Sequence, residues 1–140
     1  MSQRFQITRA AGLESLQEFR AFITKCCAKF NVQGDVVLDL KLAVDEACTN
    51  IITHGYQGMD PGSIILCFWI ESERILVQNT DFGHCFEPVK APMPDLEGAL
   101  DDRELGGIGL FLIYQTMDNI DYHSSPEGNT LTFTKFFGSV

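Results

Sequence analysis

The sequence predicts a two-layer α/β sandwich, an α+β arrangement in which a mostly antiparallel mixed sheet is covered on one face by three helices. Three stretches read as helices, and five shorter runs rich in β-branched and aromatic residues read as strands. Their order is strand, helix, helix, strand, strand, long loop, helix, strand, strand. The whole chain, residues 1–140, reads as a single domain, since a chain of this length has room for one core and one site.

Phe5 and Ile7 alternate with polar residues and predict a short first strand. Leu13, Leu16, Phe19, Phe22 and Ile23 then recur at helical spacing through GLESLQEFRAFITKCCAKF. Residues 31–34 break that helix. Asp35 is the predicted N-cap of a second, running through VVLDLKLAVDEACTNIITHGY to a C-terminal signal at Gly55. QGMDPG is a turn cluster. SIILCFWIE and RILVQNT form a predicted hairpin around Ser72 and Glu73. Residues 81–105, with Gly83, Pro88, Pro92, Pro94 and Gly98 among many charges, form a loop whose length marks it as functional or disordered. GGIGLFLIYQTM is the third helix, and DNIDYHS and NTLTFTKFF are strands around the turn SPEGN.

Composition narrows the function classes. Ten basic against 19 acidic residues give a net charge of −9, and no Lys/Arg cluster supports nucleic-acid binding or a membrane surface. A negatively charged ligand is still possible where backbone N–H groups, a metal or a few cations meet it locally. MSQRFQITRA lacks the apolar core of a signal peptide, and no run of about 18 apolar residues occurs. Cys26, Cys27, Cys48, Cys67 and Cys85 are odd in number and lack a C-x-x-C pair. Reduced thiols in a cytoplasmic protein are therefore expected.

Three local patterns carry chemistry. Glu46 and Asn50, at i and i+4, share a helical face with His54 one turn on, beside apolar Val44, Ala47, Cys48, Ile51 and Ile52. That stripe is either a solvated helix side or a carboxylate that activates a nucleophile beside an amide oxygen that ligates Mg²⁺. Asn79-Thr80-Asp81-Phe82-Gly83 closes a strand. Asp-x-Gly is a common turn, but an ionised, acceptor-only Asp81 could also read the exocyclic amine of adenine, with Gly83 admitting close backbone approach. Arg103-Glu-Leu-Gly106-Gly107-Ile108-Gly109 enters a helix. It suits a hinge or helix cap, or a phosphate cradle at a helix N-terminus. It is neither a Walker A loop, lacking Gly-Lys-Ser/Thr, nor a dinucleotide fingerprint.

In this order, over residues 36–132, the three patterns resemble the GHKL ATPases of the Bergerat fold, with Glu46-x-x-x-Asn50 as N box and Asp81-x-Gly83 and Gly106-Gly-Ile-Gly109 as glycine boxes. The E-A-x-x-N-x-I-x-H form of residues 46–54 and the R-x-x-G-G-x-G-L form of residues 103–110 are most similar to the bacterial anti-sigma-factor serine/threonine kinases. That resemblance implies ATP and Mg²⁺, with Asn50 as metal ligand, Glu46 as general base and Asp81 with Gly83 at adenine. It further implies Gly106, Gly107, Ile108, Gly109 and Leu110 at the phosphates, Arg103 at the γ-phosphate, His54 beside the nucleotide and Thr130 near the base. An ATP lid would span about residues 84–105. Partners implied are a sigma factor and a STAS-domain anti-anti-sigma factor, with a homodimer as the usual assembly. An ATP-dependent binding module without kinase activity and the catalytic half of a split histidine kinase remain as alternatives. Cys48, Cys85 and Glu87-Pro88 depart from the usual pattern.

Overall fold

The computed structural model describes residues 3–84, Ile113 and residues 115–137. Among these residues five strands form one sheet: β1 (Phe5–Ala10), β2 (Ser63–Glu71), β3 (Arg74–Asp81), β4 (Asn119–Ser125) and β5 (Gly128–Phe136), in the order β1-β2-β3-β5-β4. Helices α1 (Leu16–Lys29) and α2 (Asp35–Asn50) are the two long helices among the described residues. Of the predicted third helix, Ile113, Gln115 and Thr116 are helical, and residues 106–112 lie outside the described set. None of the described helices is long and apolar enough to cross a membrane.

The sheet was expected to be mixed, yet all four of its pairings are antiparallel. The connections explain this. A single helix between neighbouring strands gives a parallel pair. Between β1 and β2 the chain makes two helices, out and back, so β2 returns against β1. β3 and β4 do run the same way, but β5 lies between them and opposes both.

Alternation along the strands separates the two faces. Ile64, Leu66 and Phe68 of β2, Ile75 and Val77 of β3 and Phe133 of β5 are buried in one cluster with Phe19 and Ile23 of α1 and Leu40, Ala43, Val44, Ala47 and Cys48 of α2. Each large apolar side chain so buried contributes about 1.5–3 kcal/mol. Met117 and Ile113 join the same cluster.

The helix boundaries correct one expectation. Asp35 is the first residue of α2 rather than its N-cap, which is Gly34 at φ 75°. The break begins earlier, where Asn31 at φ 59° ends α1: Val32 N–H donates to Cys27 O at 2.9 Å and Asn31 N–H to Ala28 O at 3.2 Å. That Schellman arrangement, with Val32 buried behind it, turns the chain from α1 into α2. Asp35 still places a negative charge in the first turn of α2, where the helix dipole favours it.

The predicted hairpin turn holds: Glu71 pairs with Arg74 and leaves Ser72 and Glu73 as the two-residue loop, with Ser72 at φ 57°.

Candidate functional site

Two elements meet at the site: the C-terminal end of α2 and the C-terminal end of β3. Helix α2 is regular through Asn50, so Glu46 and Asn50 lie one turn apart on a common face. Glu46 is half-buried, and its carboxyl is raised above the ordinary range, first by burial and then by the charge of Asp45. Asp45 itself faces α1, where both its oxygens accept from Arg20 Nη1 at 2.9 Å. Asn50 is only 8% exposed, and its carboxamide enters none of the side-chain hydrogen bonds found among the described residues. An amide oxygen suits a hard cation that takes its other ligands from phosphate and water. No cluster of three or more His, Cys, Asp or Glu able to hold a metal exists among the described residues.

Beyond Asn50 the helix widens. Residues Ile51–Gly55 form a π turn, in which Tyr56 N–H donates to Ile51 O at 3.3 Å. Such turns are rare and concentrate at functional sites. Gly55 closes the helical stretch as expected, though not as a left-handed glycine, since its φ is not positive; the left-handed turn residue is Gly58, at φ 76°. Gly55 is instead a point of close approach. A Cβ there would sit 3.7 Å from Asp81 Oδ1, and its carbonyl accepts from His84 N–H.

On β3 the helix-facing row Ile75, Val77, Asn79, Asp81 turns from apolar to polar toward the strand's end. Asn79 is 1% exposed; it accepts from Cys48 Sγ at 3.6 Å and donates to Leu131 O at 3.5 Å. Burial pushes the Cys48 thiol well up, so it stays a neutral donor. This pair fastens the middle of the Glu46–Asn50 turn to the sheet. Asp81 is 7% exposed, and its Oδ1 accepts from Gly83 N–H at 2.9 Å and from Asn129 Nδ2 at 3.0 Å. Tyr56 locks the corner: its hydroxyl donates to Ser63 O at 2.8 Å and accepts from Phe82 N–H at 3.0 Å. Gly83 packs so close to the π turn that any Cβ would collide with the carbonyl of Gly55.

The structure thus brings Asp81 and Gly83 against Gly55 of the π turn, while Glu46 and Asn50 share a face of α2, which Cys48 ties to β3. His54 is exposed on the π turn that follows α2. Thr130 is not brought there. It pairs with Thr80, one position off the Asp81↔Asn129 pair, and so points to the opposite face, where its hydroxyl donates to His123 O at 3.4 Å. The residue beside Asp81 is Asn129, read from the sequence as the first residue of the last strand and given no part in the site. It belongs to β5 because that strand begins at Gly128. His84 is exposed, with Nε2 2.8 Å from Gln57 O. Arg103, Gly106, Gly107, Ile108, Gly109 and Leu110, and Cys85 on the predicted lid, lie outside the described residues. The other four cysteines are free and buried, in line with the expected reduced thiols.

The comparisons with known proteins bear on family and fold. The family described as histidine kinase-like ATPase domain matches residues 10–135. The serine-protein kinase RsbW of Listeria monocytogenes serotype 4a is 34% identical over 140 residues, 97% of this chain and 88% of that protein. RsbW of Halalkalibacterium halodurans is 29% identical over 138 residues, 96% of this chain and 83% of that protein. An anti-sigma F factor of a Thermoanaerobacter species is 29% identical over 121 residues, 86% and 84% of the two chains. Among solved structures, the RsbU and RsbW domains of a Mycobacterium tuberculosis protein superpose with a TM-score of 0.69 at 16% identity, over 96% of this chain and 32% of that one. That likeness carries the fold, and it bears out the Bergerat architecture expected from the three motifs.

Proposed function

Because this chain belongs to the histidine kinase-like ATPase domain family, we propose that it is an ATP- and Mg²⁺-dependent protein serine/threonine kinase of the anti-sigma type. It binds a sigma factor and phosphorylates a STAS-domain anti-anti-sigma factor, whose unphosphorylated form competes for the kinase. The assembly is a homodimer in the cytoplasm. The names of its relatives, serine-protein kinase and anti-sigma F factor, support this reading.

The observation that carries it is the buried Asp81 carboxylate, held at Oδ1 by Gly83 and Asn129, beside a helix that offers Asn50 and Glu46 one turn apart. Asp81 accepts from the exocyclic amine of adenine, a donor that guanine lacks at the same position. Gly83 lets the backbone run against the base. Asn50 gives its amide oxygen to the cation, which when bound offsets phosphate charge. Glu46, made more basic by burial and by the charge of Asp45, takes the proton from the acceptor hydroxyl. His54 lies beside the nucleotide. Gly106, Gly107, Ile108, Gly109 and Leu110 cradle the phosphates, and Arg103 meets the γ-phosphate charge.

Incubation of the protein with Mg-ATP and a STAS protein encoded beside it is expected to give acid-stable phosphoserine or phosphothreonine on that protein. ATP binding without any transfer would leave a regulatory binding module in place of a kinase, and acid-labile phosphohistidine on a partner would identify a split histidine kinase.

A further inference from the structure

The orientation of the Asp81 carboxylate is set from outside the motif that contains it. Asp81 of β3, Asn129 of β5 and Ser124 of β4 stand on one rung of the sheet: Asp81 pairs with Asn129, and Asn129 with Ser124. Asn129 is 4% exposed. Its Nδ2 donates to Asp81 Oδ1 at 3.0 Å, to Gly83 O at 3.0 Å and to His84 O at 3.4 Å, and its Oδ1 accepts from the Ser124 hydroxyl at 2.7 Å.

A carboxamide has one donating and one accepting end. Reversed, Asn129 would turn its oxygen on a carboxylate and two carbonyls, so the donor end is fixed toward Asp81. The other end then needs a donor of its own, and Ser124 supplies it. Both described hydrogen bonds to the Asp81 side chain fall on Oδ1. The carboxylate is therefore pinned by one oxygen, and Oδ2 is the one left to meet a ligand.

We propose that Ser124 and Asn129 are positioning residues that set purine specificity, by holding Asp81 so that Oδ2 presents an acceptor to a 6-amino purine and repels a 6-oxo purine. The proposal rests on the reading that Asp81 receives the adenine amine. With the relay intact, the carboxylate cannot swing aside to relieve the repulsion from a guanine oxygen. Without it, Asp81 gains that freedom, and discrimination narrows from a position two strands away.

The test measures affinities for Mg-ATP and Mg-GTP by calorimetry on the full chain, with thermal denaturation alongside. The variants are Ser124→Ala, Ser124→Thr, Asn129→Leu and Asp81→Asn. The ATP-to-GTP affinity ratio is expected to fall roughly tenfold in Ser124→Ala, the scale of a lost neutral hydrogen bond, and by up to about a hundredfold in Asn129→Leu, the scale of a lost hydrogen bond to a charged group. Ser124→Thr keeps the hydroxyl and is expected to keep the ratio. Should Asn129→Leu fail to fold, Ser124→Ala decides, because Ser124 is exposed at the sheet edge. A ratio unchanged in Ser124→Ala while Asp81→Asn collapses it overturns the relay and leaves the adenine reading standing. A ratio unchanged in Asp81→Asn overturns both.

Discussion

Glu46→Gln is expected to cut phosphoryl transfer to the acceptor protein by about 10²–10⁴-fold, the range of a general base, while Mg-ATP affinity stays within roughly threefold. The substitution keeps the side chain's size and removes only its ability to take a proton. It also has a signature in stability. The carboxyl of Glu46 is raised by burial and by Asp45, so folding favours its protonated form. Its ionised form therefore costs stability above the raised value, and the cost disappears as pH falls below the ordinary carboxyl range, where Glu46 is protonated whether folded or unfolded. The glutamine variant is accordingly expected to melt higher than the wild type at neutral pH and level with it in acid. Opposite movement of activity and stability distinguishes a base held in an unfavourable environment from an ordinary surface carboxylate.

Gly83→Ala is expected to lower stability by about 1–3 kcal/mol, the usual cost of overpacking, and to weaken Mg-ATP binding at least about tenfold. The reason is space. Glycine is needed at this position because a Cβ would strike the carbonyl of Gly55, a backbone atom that cannot rotate away. Relief requires moving either the π turn or the segment after β3. Either movement shifts the Gly83 N–H that holds Asp81 Oδ1 and the carbonyl to which Asn129 donates. Denaturation curves and calorimetric titration read the two effects separately.

Much of this molecule was legible in its residues, for identifiable reasons. The i, i+4 spacing of Glu46 and Asn50 means the same thing in any regular helix, and α2 is regular through both. The two-residue loop at Ser72 and Glu73 fixes its own hairpin register, which carries Asp81 to the helix-facing row with Ile75 and Val77. Other features depend on contacts between distant segments. No local pattern announces that the helix widens after Asn50, or that the π turn meets Gly83 and His84 of the segment after β3. The pairing of Asp81 with Asn129 requires the register between β3 and β5, strands separated by the lid segment. A one-residue difference there flips a side chain to the other face, which is why Thr130 points away from Asp81 and Asn129 toward it. The N-cap expectation failed for a similar reason: Asp35 has the right chemistry, but the left-handed Gly34 already makes the turn.

The anti-sigma reading gives the chain two kinds of partner, a nucleotide and proteins, and every step with the proteins follows from the nucleotide. Calorimetric titration of the wild type and of Asp81→Ala with Mg-ATP tests that dependence most directly. Saturable binding by the wild type, weakened at least about tenfold in the variant, is the predicted result, given the worth of a hydrogen bond to a buried charge. Equal binding by the two folded proteins, or no saturation by the wild type, would contradict the assignment of Asp81, Asn50 and Glu46 to one nucleotide site.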